Sequence, residues 1–299
     1  RPGPVVLALP EDMLTDASDV ADAPPYKPQT VAPGEESLRQ FHELLTAARK
    51  PLLIVGGGGW SDRARRDLQA FATAHEVPVS ASFRCQDYFD NLHPAYAGHV
   101  GIGISQKFGE RIRDSDLVIA QGARLGEITT SGYSLFDIPQ PKQPLVHIYP
   151  DPEEIGRVYA PTLGIVSNSA AFAAAISRLP PKHQPRGDEL KAAHADYLAF
   201  VEPTTSPGDV QLARIVRDLS ERLPEDAIIC NCAGNYAVWV HRFWRYRQFR
   251  TELAPTSGSM GYGLPAAVAA KLQHPERTVI CFAGDGCFQM TGMEFMTAV

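Results

Sequence analysis

The sequence has no CxxC pair and no histidine at zinc-ligand spacing. Its five cysteines, at 85, 230, 232, 281 and 287, are odd in number, so neither a disulfide framework nor a metal clip is indicated. Long hydrophobic runs are also missing. The longest, residues 51–55 and 278–283, fall far short of the roughly 20 residues that a bilayer span requires, so no membrane partner is expected. Excess positive charge is absent as well: the formal net charge is -6, which removes the electrostatic footprint of a nucleic-acid binder. One local cluster, Arg242, Arg245, Arg247 and Arg250 interleaved with Phe243, Trp244, Tyr246 and Phe249, reads as an amphipathic surface or subunit contact ahead of an RNA site. A reducing cytoplasm is the expected location. What remains is an ordinary globular composition, 44% hydrophobic and 21% charged over 299 residues, enough for about two domains.

Residues 1–14 hold a strand-like apolar run over 4–9, which reads as the last buried strand of a domain that begins before Arg1. Residues 15–34, with Asp16, Asp19, Asp22 and four prolines, read as a solvated linker. From 35 to 180, short apolar runs (51–55, 77–80, 117–121, 145–149) alternate with amphipathic stretches (36–49, 62–75 and one ending at 113), and a last strand and helix fall within 163–179. That alternation predicts an α/β fold, a Rossmann-like parallel sheet covered on both faces. A second connector, 181–207, contains a helix over 189–201. Residues 208–299 then open another α/β unit, with a helix over 210–223, strands at 227–231 and 278–283, and a glycine-rich turn and helix at 257–272. Residues 293–299 read as the first turns of a helix with no stop signal, so this second unit is expected to be incomplete.

The chemistry sits at strand ends. Gly284-Asp285-Gly286, followed by Cys287, comes after the apolar run 278–283, where α/β proteins bind ligands. The flanking glycines let backbone amides approach an anion, and a lone carboxylate suits a hard divalent ion whose other ligands are phosphate oxygens. A tight turn with a capping aspartate is the competing reading. Gly56 to Gly59 after the run 51–55 would let the chain approach a pyrophosphate, although Ser61 breaks the GxGxxG frame.

Ser257-Gly258-Ser259-Met260-Gly261-Tyr262-Gly263-Leu264-Pro265-Ala266-Ala267, one helix before Gly284-Asp285-Gly286, resembles the diphosphate-side half of thiamine-diphosphate enzymes, with acetolactate (acetohydroxyacid) synthase the nearest pattern. The resemblance covers essentially the whole chain. It implies thiamine diphosphate and Mg2+ as cofactors, with Asp285 as metal ligand. It also implies that Met260 props the cofactor into its bent form, while the Gly258 carbonyl and the Met260 amide, beside Ser259, hold the aminopyrimidine edge. Gly234, Asn235 and Tyr236 fall in the loop that meets the diphosphate, and Trp239 falls where the family lines its substrate pocket; Asn235 and Tyr236 replace a glutamine and a histidine. The activating glutamate is implied to lie before Arg1 in a neighbouring subunit, and a second metal ligand beyond Val299. A homodimer or homotetramer with the active site between subunits is the implied assembly.

The resemblance also brings FAD into consideration, through Gly57, through Gly122-Ala123-Arg124 and through residues 147–152 with Asp151. Here the pattern is partly lost: Gly126 and Glu127 replace two aspartates, Ile128 replaces a substrate-binding arginine, and Tyr149 replaces an aspartate. Arg124 could equally pair with a carboxylate at the sheet edge. The implied activity is decarboxylation of a small 2-oxo acid with carboligation. The rivals are a decarboxylase without carboligation, a nucleotide-binding Rossmann protein without thiamine, and a member that has kept the fold and lost catalysis.

Overall fold

The computed structural model describes residues 5–181 and 185–299. The expected first strand does not form. Pro4 lies outside the described residues, and Val5, Val6, Leu7 and Leu9 are exposed and irregular. An apolar run becomes a strand only where a neighbour completes its ladder, and no described strand pairs with this one. A short 3-10 turn, Glu11–Thr15, follows, and residues 16–33 have no regular secondary structure and are largely exposed.

The middle unit contains β1 (Pro51–Val55), β2 (Val79–Ala81), β3 (Tyr96–His99), β4 (Leu117–Gln121), β5 (Leu145–Tyr149) and β6 (Leu163–Val166). They form one parallel sheet in the order β3-β2-β1-β4-β5-β6, the doubly wound order whose direction of growth reverses between β1 and β4. The continuous apolar run Pro51–Val55 is required because both faces of β1 are covered. Leu53 and Val55 join the core under α1 (Glu35–Ala47), α2 (Asp62–His75) and α4 (Ser169–Ile176), where Phe41, Phe71 and Phe172 are fully buried. Leu52 and Ile54 face the other way, with Phe108 and Ile112 of α3 (Gln106–Asp114) and Ala193 of α5 (Gly187–Phe200). Burying each large side chain contributes about 1.5–3 kcal/mol, so both faces add to stability. Ser61, which broke the glycine frame, has a structural use: its hydroxyl accepts the Ala64 amide at 3.2 Å and caps α2.

The helix expected in the second connector is α5. It packs against β3 through Tyr197, whose ring meets Tyr96 edge-on at 4.8 Å, while Arg111 pairs with Asp196 at 2.8 Å and with Glu189. The last unit holds α6 (Leu212–Arg222), β7 (Ile228–Asn231), α7 (Ala237–Phe243), β8 (Glu252–Leu253), α8 (Gly263–Gln273), β9 (Val279–Phe282) and α9 (Asp285–Thr291), with a parallel sheet in the order β8-β7-β9. Where a helix was expected over 293–299, the structure has a 3-10 segment, Gly292–Ala298.

The basic cluster is amphipathic, as expected: its aromatic side chains turn inward while Arg242, Arg245 and Arg247 stay part-exposed and Arg250 exposed. Phe243, Trp244 and Tyr246 are buried, and Arg242 lies 4.2 Å over the Phe200 ring. Arg247 pairs with Glu225 at 2.6 Å and with Asp90 at 3.3 Å, so this cluster ties the last unit to the middle one. Burial of the aromatic faces favours this arrangement, while the arginine heads keep water or a carboxylate within reach. Among the described residues, no helix is long and apolar enough to cross a membrane.

Candidate functional site

The reversal point between β1 and β4 opens a crevice at the carboxyl ends of the strands, the position where open α/β sheets take ligands. Gly57 sits there at φ 67, and a Cβ on it would lie 1.9 Å from the Gly122 carbonyl oxygen, so only glycine permits the two turns to meet. Tyr88 donates its hydroxyl to the Gly57 carbonyl at 2.7 Å and pins the turn. The resulting cleft, about 470 Å³, is walled by Gly57 to Gly59, Gly122, Arg124 and Tyr149 on one side and by Ala254, Thr256 and Tyr262 of the last unit on the other. It is therefore an inter-unit crevice. Arg124 pairs with the buried Glu154 at 3.0 Å, as the carboxylate-pairing reading anticipated, yet it stays half exposed toward the cleft. Asp151 is engaged locally: its carboxylate accepts the Glu153 amide at 3.1 Å. Ile128 lines an adjoining cleft with Gly126, Glu127, Thr129, Arg124 and Thr256.

The second set of residues gathers at the carboxyl edge of the β8-β7-β9 sheet, because all three strands are parallel and their outgoing loops share one side. From β7 come Gly234, Asn235 and Tyr236; the Tyr236 hydroxyl donates to the Phe282 carbonyl at 3.0 Å on β9. A Cβ on Gly284 would lie 3.1 Å from the Tyr236 ring. From β9 come Gly284, Asp285, Gly286 and Cys287, and the Cys287 thiol donates to the Ala233 carbonyl at 2.8 Å. From β8 comes the loop with Gly258, Ser259 and Met260. Met260 is half exposed, and its methyl lies 3.2 Å from the Cβ position of Gly286. Ser259 meets the Ser257 hydroxyl at 2.8 Å. Asp285 is exposed at the first turn of α9 and makes no ion pair among the described residues. Trp239 is placed elsewhere, half-buried on α7 against the core of the last unit, and does not line either cleft.

The structure adds residues that no local pattern announced. The loop after β2, residues 82–91, reaches into the last unit. Asp87 accepts the amides of Thr251 (3.1 Å) and Glu252 (3.4 Å), and Glu252 accepts the Gln86 amide at 2.7 Å. Burial, and then the adjacent Asp87 charge, push Glu252 up to about 8. Burial pushes Asp87 up to about 6. Two buried histidines nearby move the other way, His241 to about 3 and His99 to about 4, again through burial. The sequence does contain a signal, the polar run Arg84 to Asp87 between apolar neighbours, but its partners are more than 140 residues away.

These shifts carry a pH prediction. The folded protein holds protons on Glu252 and Asp87 that the unfolded chain releases near pH 4, so their stabilisation is present in acid and is lost as pH rises toward about 8. The histidines oppose this only below about pH 6.5, where the unfolded chain takes up protons that the fold refuses. Above that pH the histidines drop out, and the thiols of Cys85, Cys230 and Cys281, pushed up by burial, begin to act in the same direction as the carboxyl pair. The melting temperature of the protein should therefore fall between about pH 6.5 and 8.5, and Glu252→Gln should flatten the fall. Parallel melting curves for the two proteins across that range would refute the assignment.

Two parallel α/β units, each presenting glycine-lined turns at the carboxyl ends of its strands, form a scaffold for phosphate-bearing cofactors. The chain matches the family described as thiamine pyrophosphate enzyme, central domain, over residues 38–176. It matches thiamine pyrophosphate enzyme, C-terminal TPP binding domain, over residues 233–299. The chain belongs to the thiamine pyrophosphate enzyme family. It is similar to the acetolactate synthase large subunit of Corynebacterium glutamicum, 30% identical over 311 residues that cover 100% of this chain and 49% of the relative. It is also similar to an acetolactate synthase of Mycobacterium leprae, 29% identical, covering 99% of this chain and 49% of that protein. The large subunit of acetolactate synthase isozyme 2 of Escherichia coli is 27% identical, with 99% and 53% covered. The chain thus spans about half the length of the curated relatives it matches.

Proposed function

We propose that this chain is the middle and diphosphate-side part of a thiamine-diphosphate- and Mg2+-dependent enzyme that decarboxylates a small 2-oxo acid. The observation that carries the reading is the convergence of three loops, residues 234–236, 258–261 and 284–287, on one edge of the second sheet. The residues fit the cofactor. The Cβ position of Gly258 faces open space, and Asp285 presents an exposed carboxylate with no cation beside it among the described residues. A carboxylate next to a diphosphate would be repelled unless a divalent ion lay between them, which supports Mg2+. No group of three or more metal-ligating side chains occurs among the described residues. Asp285 would therefore share the ion with phosphate oxygens, water and a ligand from elsewhere.

When bound, thiamine diphosphate supplies the electron sink for loss of carbon dioxide, and the protein supplies binding and orientation. Gly234, Asn235, Tyr236, Ser259, Gly284, Gly286 and Cys287 would surround the diphosphate side. Met260 would support the bend, and Gly258 would hold the pyrimidine edge. Trp239 would need to turn out from α7 to meet substrate. In the middle unit, Gly57 and Arg124 support a nucleotide-like second ligand, FAD ahead of ADP; Asp151, engaged with its own turn, would contribute through the backbone. The division into residues 1–14, 15–34, 35–180, 181–207 and 208–299, a cytoplasmic location, and a homodimer or homotetramer that completes the site all belong to this reading.

The acceptor preference follows from Ile128. Among the described residues lining that cleft the one cation is Arg124, which pairs through Nε with Glu154 and is claimed by the nucleotide-like ligand in this reading, so a second 2-oxo acid would find no dedicated guanidinium at the Ile128 position. A charged hydrogen bond of that kind contributes about 1.5–3 kcal/mol, roughly ten- to a hundredfold in binding. The full-length enzyme given pyruvate alone should release carbon dioxide and acetaldehyde well ahead of acetolactate, and the visible spectrum of the same preparation reports any flavin. Near-stoichiometric acetolactate, at a rate indifferent to added aldehyde, would show that another residue holds the acceptor's carboxylate.

A further inference from the structure

We propose that Arg84, on the middle unit, is a positioning residue for thiamine diphosphate, holding together the roots of two loops that meet the cofactor; the inference rests on the thiamine reading above. Arg84 is 7% exposed and sits at the edge of the inter-unit cleft. Its Nη1 donates to the Pro255 carbonyl at 2.7 Å and its Nη2 to the Cys232 carbonyl at 2.7 Å. Each carbonyl stands where a strand gives way to a cofactor loop. Cys232 follows β7 and leads into residues 234–236. Its own amide bonds to the Phe282 carbonyl on β9 at 3.2 Å, and its sulfur accepts the Gly263 amide at 2.9 Å, at the start of α8. Pro255 follows β8, and its carbonyl also accepts the Gly258 amide at 3.0 Å, closing the turn that launches residues 258–260. One planar guanidinium thus sets the separation of the two loops, a task that needs a rigid fork and that a point-like ammonium cannot reproduce.

The backbone supports a side-chain role. Arg84 is held at φ 59, the left-handed region that suits glycine and that other residues enter at a cost. Glycine would be easier for the chain at this position, so the strain is tolerated for what the arginine reaches. Other bonds hold the same interface without it. Gln86 donates to the His241 carbonyl at 2.8 Å, and Asn91 and Tyr246 exchange bonds at 2.9 Å in both directions. Removing the guanidinium should therefore loosen the loops more than it separates the units.

The test uses the full-length protein with Mg2+, comparing wild type, Arg84→Lys and Arg84→Gly by calorimetric titration with thiamine diphosphate and by melting of the cofactor-free forms. The expected result is at least a tenfold rise in Kd for both variants with nearly unchanged cofactor-free melting temperatures. Millimolar methylguanidinium, admitted through the cleft, should restore much of the affinity of Arg84→Gly and none of that of Arg84→Lys. Should Arg84→Gly fail to fold, Arg84→Lys decides alone. Wild type that binds while both variants bind within twofold of it would overturn the positioning role, as would affinity that falls only in step with melting temperature and ignores methylguanidinium. Wild type that does not bind at all would remove the thiamine reading together with this one.

Discussion

Asp285→Ala should abolish measurable binding of thiamine diphosphate in the presence of Mg2+, raising Kd by roughly a hundredfold or more, about 2.7 kcal/mol. The carboxylate stands at the first turn of α9, between two glycines, and is exposed with no cation beside it among the described residues. It is the one carboxylate on the 284–287 loop, so no neighbour there can take over the ion. Asp285→Asn separates charge from shape: it keeps the turn and an oxygen ligand but loses the anion, and should fall between wild type and alanine. Titration of the full-length protein decides the matter. Unchanged affinity in Asp285→Ala would mean that the ion, if one binds, is held by residues outside this loop.

Arg186→Leu should lower stability by about 3–5 kcal/mol, which for a domain of this size corresponds to a drop on the order of 10 °C in melting temperature. Arg186 is buried and reaches the carboxyl ends of two helices together. It donates to the Ala48 carbonyl from Nε at 3.1 Å and from Nη2 at 2.8 Å, to the Leu45 carbonyl, and to the His75 carbonyl at 3.1 Å. These carbonyls lie in the last turn of α1 or just past it, and at the last residue of α2, where the helix leaves acceptors without partners and the dipole favours a cation. Leucine would fill the volume but leave buried acceptors unpaired, each costing about 1–3 kcal/mol. Arg186→Lys should recover only part of the loss. Thermal melting of the three proteins checks this; a shift of only about 2 °C for leucine would show that water replaces the guanidinium and that the cap contributes little.

Much of the scaffold was legible because its strands are buried on both faces. Runs such as 51–55, 117–121 and 145–149 are uniformly apolar, and the structure places β1, β4 and β5 on those same residues. β3, Tyr96–His99, has no apolar run in Tyr-Ala-Gly-His to announce it; it is a strand because β2 offers a ladder and α5 a cover. The converse holds at residues 5–9, where an apolar run with no partner strand among the described residues stays exposed. The site shows the same division. Glycine, aspartate and the 257–267 run mark the loops locally, since backbone approach and metal ligation require those residue types in short spans of chain.

Periodicity and turn chemistry in the chain alone therefore fix two parallel α/β units, their order, and the loops that carry the chemistry. Those properties depend on neighbours a few residues apart, within the reach of pattern. Only the folded chain decides which loops face one another, that Arg84 spans 148 and 171 residues to two carbonyls, and that Asp87 and Glu252 are buried side by side. It also decides that the aromatic side chains of the basic cluster turn inward and that Arg247 reaches Asp90 of the middle unit. These contacts cost loop-closure entropy and are repaid only when a whole core assembles, so no short window of sequence contains them.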